Sequence, residues 1–168
     1  MELNDSRVLF NNGQAEPLET PPIIVADLIR TPENIGNLIR LAANIGIRKV
    51  ISIEEIPLKE SKIRKTACMA WDYVELIRIT KEELDNHIPA DFTLIAIETS
   101  STSSNLYKTI LPQKSVFILG NEMHGIRQEL LDKCPIHVHI PMTGPATSMN
   151  VSHAASVVFF EWVRQWLM

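Results

Sequence analysis

Several classes of protein are excluded by what this 168-residue chain has little of. It carries only two cysteines, Cys68 and Cys134, which lie far apart and form no metal-type pair. Free buried thiols of this kind suit a reducing compartment. No apolar run approaches membrane-spanning length, and the first residues lack the basic-then-apolar pattern of a signal peptide. The sequence therefore predicts a cytoplasmic protein without a membrane partner.

Positive charge and familiar ligand motifs are also scarce. The formal net charge is -4, so a nucleic-acid partner would have to be held by a local basic patch. The chain has neither a G-x-G-x-x-G fingerprint nor a Walker loop, which weighs against NAD and nucleoside triphosphates. The five histidines show no metal-ligand spacing, and we expect no metal.

What the chain does contain is an alternation of short apolar runs and amphipathic segments from Pro22 onward. The run Ile23–Leu28 is interrupted only by Asp27, which indicates a strand covered on both faces. Five more strands are predicted at Val50–Ile53, Val74–Ile79, Phe92–Ile97, Val116–Leu119 and Ile136–Ile140. Six strands alternating with helices predict an α/β domain over residues 23–168, with a mainly parallel sheet and helices on both faces. Residues 1–22 are predicted to be an arm, an edge segment or disordered.

Helix signals separate the predicted strands. Thr31-Pro32 supplies an N-cap and a first-turn proline for a helix to about Asn44, with Gly46 just past its end. Within this helix, Gly36 lies one turn before Arg40 and leaves no side chain to obstruct approach. Thr80-Lys81-Glu82-Glu83 is a capping box that opens a short helix. Further helices are predicted from Lys59 toward Met69, from Ile126 to Lys133, and from Asn150 to the last residues.

The last helix is apolar around much of its circumference. Its main stripe consists of Val151, Ala154, Ala155, Val158, Phe159, Trp162, Val163 and Trp166. Val157 and Phe160 lie off that stripe, so we expect this helix to be buried from more than one side. It is either sunk within its own domain or packed against a second subunit. We favour a homodimer through this helix.

Three loops share a composition of glycine and polar residues: Asn34–Arg40, Gly120–Gly125 and Ile140–Asn150. In the third loop, two prolines and a glycine shape the turn, and a helix that begins near Asn150 directs free N–H groups back at it. Loops that adjoin parallel strands gather along one edge of the sheet, so we expect these three to converge on a polar ligand. The plainer interpretation is an ordinary helix start with Ser and Asn caps.

In order along the chain, three segments resemble the three motifs of the SpoU family of S-adenosylmethionine-dependent RNA ribose 2′-O-methyltransferases, within the SPOUT superfamily. The segments are Asn34-Ile35-Gly36-Asn37-Leu38-Ile39-Arg40, Leu119-Gly120-Asn121-Glu122-Met123-His124-Gly125, and Ile140-Pro141-Met142 with Ser148-Met149-Asn150-Val151-Ser152. The resemblance runs from about Ile23 to the C-terminus, and is to the minimal single-domain kind of the TrmH and TrmL groups. It implies a C-terminal trefoil knot, a bent methyl donor, a homodimer through the terminal helices, and a structured RNA substrate, tRNA before rRNA.

The resemblance also implies which residues do the chemistry. Arg40 matches the arginine of the first motif, and Asn34, Glu122, Ser148 and Asn150 match the other polar active-site positions. Because arginine stays protonated, Arg40 suits anchoring a phosphate and stabilising the 2′ oxyanion more readily than acting as a base, although the family proposals include activation of the hydroxyl. The methyl donor would be held by Ile97, Thr99, Leu119, Gly120, Ile140, Met142, Ser148 and Met149.

Plainer interpretations stand beside these assignments. Arg40 would then be a solvated helix residue, and Glu122 would serve only the dipole of the following helix. The candidate RNA contacts are Arg30, Lys62, Arg64 and Lys65, although such a basic patch is usually a solvated surface. Two other functions are compatible with the residues: a catalytically idle RNA-binding member of the same fold, and an unrelated α/β ligand-binding domain.

Overall fold

The structure, a computed structural model, describes residues 18–168. Residues 1–17 of the predicted arm lie outside the described residues. The strands within this range are β1 Ile23–Asp27, β2 Lys49–Ile53, β3 Glu75–Ile79, β4 Thr93–Ile97, β5 Ser104–Asn105, β6 Ser115–Leu119 and β7 Ile136–His139. The helices are α1 Pro32–Asn44, α2 Glu60–Ala67, α3 Gln128–Leu131 and α4 Val151–Leu167. Short 3₁₀ helices occupy Cys68–Asp72, Lys81–His87 and Leu106–Lys108.

Over residues 18–168 the strands form one seven-stranded sheet in the order β3-β2-β1-β6-β4-β7-β5, and every pair is parallel. The predicted α/β class and parallel sheet are confirmed. The predicted number of strands was one too low, because the short β5 lies in a polar segment without an apolar run. Its Ser104 pairs with Val138 at the edge of the sheet. A strand of two residues can pair through its backbone without any hydrophobic pattern, so nothing in the sequence indicated β5.

Helices cover both faces of the sheet, as predicted. Alternate residues of β1 divide between two cores: Ile24 packs toward α1, α2 and α4, whereas Val25 packs with α3 and the segment Lys81–His87. This alternation is the period-two pattern of a strand, and both sides are apolar because neither faces water. The N-cap signal at Thr80 is confirmed as a reciprocal capping box, although the helix that it opens is 3₁₀.

Some local predictions were wrong in instructive ways. The surface beside Gly36 is not open, because a Cβ there would lie 2.6 Å from the Thr66 Cβ, so the close approach is made by α2. Helix α2 ends at Ala67, where Cys68 takes a left-handed φ of 53°, and a 3₁₀ turn follows. Both cysteines are free, but only Cys134 is buried, while Cys68 is exposed. The predicted helix Ile126–Lys133 is reduced to α3.

Helix α4 has one side buried in the core and one side exposed to solvent. Phe159 and Trp162 are fully buried, and the Phe159 ring lies 4.9 Å from that of Phe117. The indole of Trp162 donates to the Pro112 carbonyl at 3.0 Å. Phe160, by contrast, is 49% exposed, which leaves apolar surface on the outer side of the helix. Among the described helices, none is both long and apolar enough to cross a bilayer. The trefoil knot stays a prediction.

Candidate active site

One chain of side-chain hydrogen bonds joins the three polar loops. The Glu122 carboxylate, in the loop after β6, accepts a hydrogen bond of 2.8 Å from the Asn34 amide at the start of α1. The Asn34 carbonyl oxygen in turn accepts one of 3.1 Å from the amide of Asn150, which precedes α4. The first, second and third motif regions therefore meet at one edge of the sheet, as their placement after parallel strands predicted.

The chain of contacts continues into the first turn of α4. Asn150 acts as the N-cap, since its side-chain oxygen accepts from the Ser152 backbone N–H at 2.9 Å and from the Ser152 hydroxyl at 2.7 Å. The Asn37 amide donates to the same hydroxyl at 3.5 Å. Asn150 thus caps its own helix, as the plainer interpretation predicted, and it also ties that helix to α1. Its role in an active site stays a prediction.

Glu122 also satisfies the backbone that leads into α1. Thr31 is the N-cap residue by position, but it makes no side-chain cap bond. Instead, the N–H groups of Arg30 and Thr31 donate to the two oxygens of Glu122, each at 3.1 Å. Desolvation raises the pKa of Glu122, but the hydrogen bonds from Arg30, Asn34 and Thr31 together outweigh it, so the pKa lies below its ordinary value. The carboxylate therefore serves the start of α1, which differs from the plainer interpretation that it serves only the helix that follows it.

The neighbouring Asn121 holds the end of β1 in an unusual conformation. Its amide donates to the Leu28 carbonyl at 2.6 Å, and Leu28 has a left-handed φ of 54°. Its side-chain oxygen accepts from the N–H groups of Met123 and His124. Left-handed backbone is costly for a branched side chain. Asn121 therefore helps to fix a turn that the local sequence alone disfavours. The sequence placed Asn121 within the second motif but assigned it no role of its own.

A cleft of about 650 Å³ opens beside this network. All eight residues predicted to hold the methyl donor line it: Ile97, Thr99, Leu119, Gly120, Ile140, Met142, Ser148 and Met149. Glu122 and Asn150 line it as well. The volume falls within the range of roughly 300–1,000 Å³ that is usual for small-molecule sites. Its walls combine apolar side chains with backbone and hydroxyl groups.

Two glycines keep the second motif tightly folded against the floor of this cleft. A Cβ on Gly120 would lie 2.2 Å from the Gly125 carbonyl carbon, and Gly125 has a left-handed φ of 69°. A Cβ on Gly125 would meet the Glu98 carboxylate at 2.3 Å. Glu98 accepts hydrogen bonds from the N–H groups of Thr99 and Ile126. Neither the contact with Gly125 nor the role of Glu98 was anticipated from the sequence, where Glu98 belongs to a polar loop.

Arg40 lies apart from the other predicted site residues. It is exposed, and it lines a groove of about 460 Å³ together with Cys68, Met69 and Tyr73. It lies six positions after Asn34, which corresponds to roughly 9 Å along the helix axis at about 1.5 Å per residue. Asn34, Glu122 and Asn150 are in contact and Ser148 lines the same cleft, whereas Arg40 does not line it within one chain. Its catalytic role stays a prediction.

The candidate RNA contacts are spread over the start of α1 and over α2. Arg30 is exposed beside Glu122. Lys62 pairs with Glu33 at 3.5 Å, which brings α2 close to the first turn of α1. Arg64 already has two partners within the chain: it forms an ion pair with Glu60 at 2.9 Å, and its guanidinium stacks 4.6 Å above the Trp71 ring. Lys65 is exposed.

A comparison against protein families covers all three of these loops with a single match. The model of the SpoU rRNA methylase family matches residues 21–160. The chain belongs to the SpoU rRNA methylase family. This match confirms the family resemblance of the three motifs. The matched residues include every strand of the sheet and most of α4.

Individual proteins resemble the SpoU-family chain over most of its length. A 23S rRNA (guanosine-2′-O-)-methyltransferase, RlmB, from Pasteurella multocida is 33% identical to this chain. The alignment covers 98% of this chain and 67% of the length of the RlmB protein. The AdoMet-bound rRNA methyltransferase from Sinorhizobium meliloti has a TM-score of 0.80 at 24% identity, covering 92% of this chain and 60% of that one. A structure described by the 2-OH methylation of C/U34 on tRNA has a TM-score of 0.77 at 24% identity. The match covers 88% of this chain and 97% of that one. The chain spans from 10% to 67% of the length of the curated relatives compared with it.

Proposed function

We propose that this chain transfers a methyl group from S-adenosylmethionine to a ribose 2′-hydroxyl of RNA. The observation that carries the proposal is the hydrogen-bonded series Glu122–Asn34–Asn150, which unites the three SpoU motif regions beside the cleft. Family membership supports the reaction class. The S. meliloti neighbour, which is described as AdoMet-bound, supports the methyl donor.

The residues of the cleft fit such a donor. Ile97, Leu119 and Ile140 offer apolar surface for a flat heterocycle. Residues 141–149 form no regular secondary structure, and they make no backbone–backbone hydrogen bond with another described residue. Their C=O groups, and the N–H groups of all except Pro141 and Pro145, are therefore available to a polar ligand. When bound, S-adenosylmethionine supplies an electrophilic methyl group. The chain itself would supply alignment and charge stabilisation, which are the main needs of such a transfer.

The polar residues would divide that work. Glu122 and Asn34, fixed by each other and by the start of α1, would orient the ribose. Ser148 and Asn150 would shape the loop under both ligands. Arg40 would anchor a phosphate and stabilise the oxygen at the 2′ position as its proton leaves, a role that needs a permanent cation rather than a base.

This assignment of Arg40 requires a second copy of the chain, because Arg40 lies outside the cleft of its own subunit. We propose a homodimer through α4, in which the half-exposed Phe160 contributes to the interface. A helix that is buried on one side and apolar on the other favours a further packing partner. The groove around Arg40 offers additional apolar surface for a partner, because the side chains of Met69 and Tyr73 are exposed there.

For the substrate we propose a tRNA before an rRNA. The chain covers 97% of the neighbour described by methylation of tRNA, but only 60% of the neighbour described as an rRNA methyltransferase. The 33% identity to an rRNA enzyme is the reason to keep rRNA as the second candidate. Arg30, Lys62 and Lys65 would provide phosphate contacts near the cleft, with Arg64 contributing through its stack on Trp71. The cytoplasmic location stays a prediction.

Transfer of tritiated methyl groups to RNA tests the proposal. Purified chain would be incubated with labelled donor and with separated tRNA and rRNA fractions from cells that lack this gene. Label in the tRNA fraction, mapped by mass spectrometry to a ribose, is the expected result. Label only in rRNA would reverse the choice of substrate. Donor binding without transfer to either RNA would favour an idle RNA-binding member, and no donor binding would refute the proposed function.

A further inference from the structure

The charge of the cleft differs from that of most nucleotide sites. Among the described residues that line it, the acidic side chains are Glu98 and Glu122, and there is no lysine or arginine. The other titratable side chains are His124 and His139. With neutral histidines the lining therefore carries two negative charges and no formal positive one, an arrangement that favours a cationic ligand.

The two carboxylates are not equally free to act on a ligand. Glu122 accepts hydrogen bonds from Arg30, Thr31 and Asn34, and it is committed to the start of α1. From the residues that the structure describes, Glu98 accepts only two, from the backbone N–H groups of Thr99 and Ile126. A carboxylate has about four acceptor sites. Glu98 thus keeps acceptor capacity and carries a charge that no described lysine or arginine neutralises.

We propose that Glu98 makes the cleft selective for the cationic methyl donor over the neutral product, an inference that rests on the proposed function. S-adenosylmethionine carries a sulfonium and an ammonium against one carboxylate, so it has one net positive charge. In the transfer the sulfur–methyl bond breaks, its electron pair returns to sulfur, the methyl joins the 2′ oxygen, and the hydroxyl proton leaves to solvent. The product in the cleft is then neutral overall, and its attraction to Glu98 falls.

Charge discrimination at this position would assist turnover. A cleft that binds substrate and product equally well is slowed by product release, whereas one that senses the lost charge releases the product more readily. Glu98 is well placed for this role because its two backbone hydrogen bonds fix the carboxylate at the end of β4, against Gly125. It would be a specificity residue in contact with the cofactor, not a group that moves protons.

Calorimetry on Glu98→Gln tests the inference with three ligands: S-adenosylmethionine, S-adenosylhomocysteine and sinefungin, which carries an ammonium near the position of the sulfonium. We expect the affinities for the two cationic ligands to fall on the order of tenfold, with product affinity unchanged. Unchanged product affinity also shows that the variant has kept its fold. Glu82→Gln removes the same charge from an exposed position outside the cleft, and should alter none of the three affinities.

Each other outcome overturns the inference. Equal losses for all three ligands would show that Glu98 shapes the cleft without sensing charge, and no loss for any would remove it from the site. If Glu98→Gln fails to fold, Glu98→Asp keeps the charge and must keep the ratio of donor to product affinity; a collapse of that ratio refutes the role. Failure of the wild-type chain to bind the donor at all would instead refute the proposed function.

Discussion

Two sets of polar contacts hold the segment between β1 and α1, and they differ in their surroundings. The cleft clamp, Glu122–Asn34–Asn150, lies at the edge of the sheet, and Glu122 is exposed. The buried clamp is the ion pair of Asp27 and Arg127. Asp27 is fully buried and accepts from the Arg127 backbone N–H at 3.0 Å and from its guanidinium at 2.9 and 2.5 Å. Both clamps start from the region after β6: the buried clamp joins it to the last residue of β1, and the cleft clamp joins it to the start of α1.

The difference in exposure assigns them different physical roles. Desolvation lowers the pKa of Arg127, but the hydrogen bonds and charge of Asp27 outweigh it and raise that pKa. Removing one partner of such a pair leaves an uncompensated charge out of water, which is expensive. The cleft clamp is partly screened by solvent, so its loss costs less stability. We therefore expect variants of the buried clamp to lower the stability of the fold and variants of the cleft clamp mainly to impair its activity.

The largest expected effect lies outside both clamps. Arg40→Ala should lower methyl transfer by about a thousandfold, or about 4 kcal/mol of transition-state stabilisation, because a preorganised cation is lost. Its free energy of unfolding and its donor affinity should stay at wild-type values, since Arg40 is exposed and does not line the cleft of its own subunit. Single-turnover transfer and calorimetry measure the two quantities. Arg48→Ala is the matched exposed control, and retained turnover in Arg40→Ala would remove Arg40 from the mechanism.

The buried clamp gives the largest effect on stability. Asp27→Ala should lower the free energy of unfolding by about 3 kcal/mol, at the low end for a broken buried pair because the Arg127 side chain is 23% exposed. Urea unfolding followed by circular dichroism measures the change. The double variant Asp27→Leu, Arg127→Leu should recover part of the loss, since it leaves no buried charge without a partner. A double variant as unstable as the sum of its parts would contradict this account.

The sequence predicted the convergence of the loops better than it predicted the clamps. Periodicity placed Ile23, Val116 and their neighbours in parallel strands, and parallel strands bring their following loops to one edge. The resemblance then named Asn34, Glu122 and Asn150, which the structure shows in contact. No local pattern, however, predicts which side chains pair across 88 or 116 positions, so the specific donors and acceptors could not be read from the sequence.

The buried clamp was missed for a related reason. Asp27 stood out only as the interruption of an apolar strand, and Arg127 only as a residue of a short helix, since a side-chain pattern does not reveal its partner 100 residues away. The separation of Arg40 from the cleft was also unexpected. Spacing along the sequence predicts which turn of α1 a residue occupies. It does not predict which neighbouring element that turn faces, and here α2 packs against α1 at Gly36.

Acid titration distinguishes the two clamps more finely. The folded-state pKa of Glu122 lies below the ordinary value of 4.5, so the stabilisation that it provides is complete above that value and is lost as the pH falls through the folded pKa. Glu122→Gln should therefore cost about 1 kcal/mol at neutral pH after allowance for solvent screening. The gap from the wild-type chain should close as the pH falls below 4.5 and through the lowered folded pKa. Urea unfolding along this series measures the gap, and a gap that is constant with pH would contradict the assignment.

Leu28 lies where the two clamps meet, between Asp27 and the backbone that Glu122 holds, and its left-handed φ of 54° gives the smallest predicted effect. Leu28→Ala removes packing but keeps the unfavourable backbone, whereas Leu28→Gly removes both the packing and the strain. The glycine variant should therefore be more stable than the alanine variant by about 0.5–1 kcal/mol, the reverse of their order in ordinary strands. Thermal and urea unfolding measure this difference. An alanine variant that is the more stable of the two would mean that the clamps do not enforce the left-handed turn.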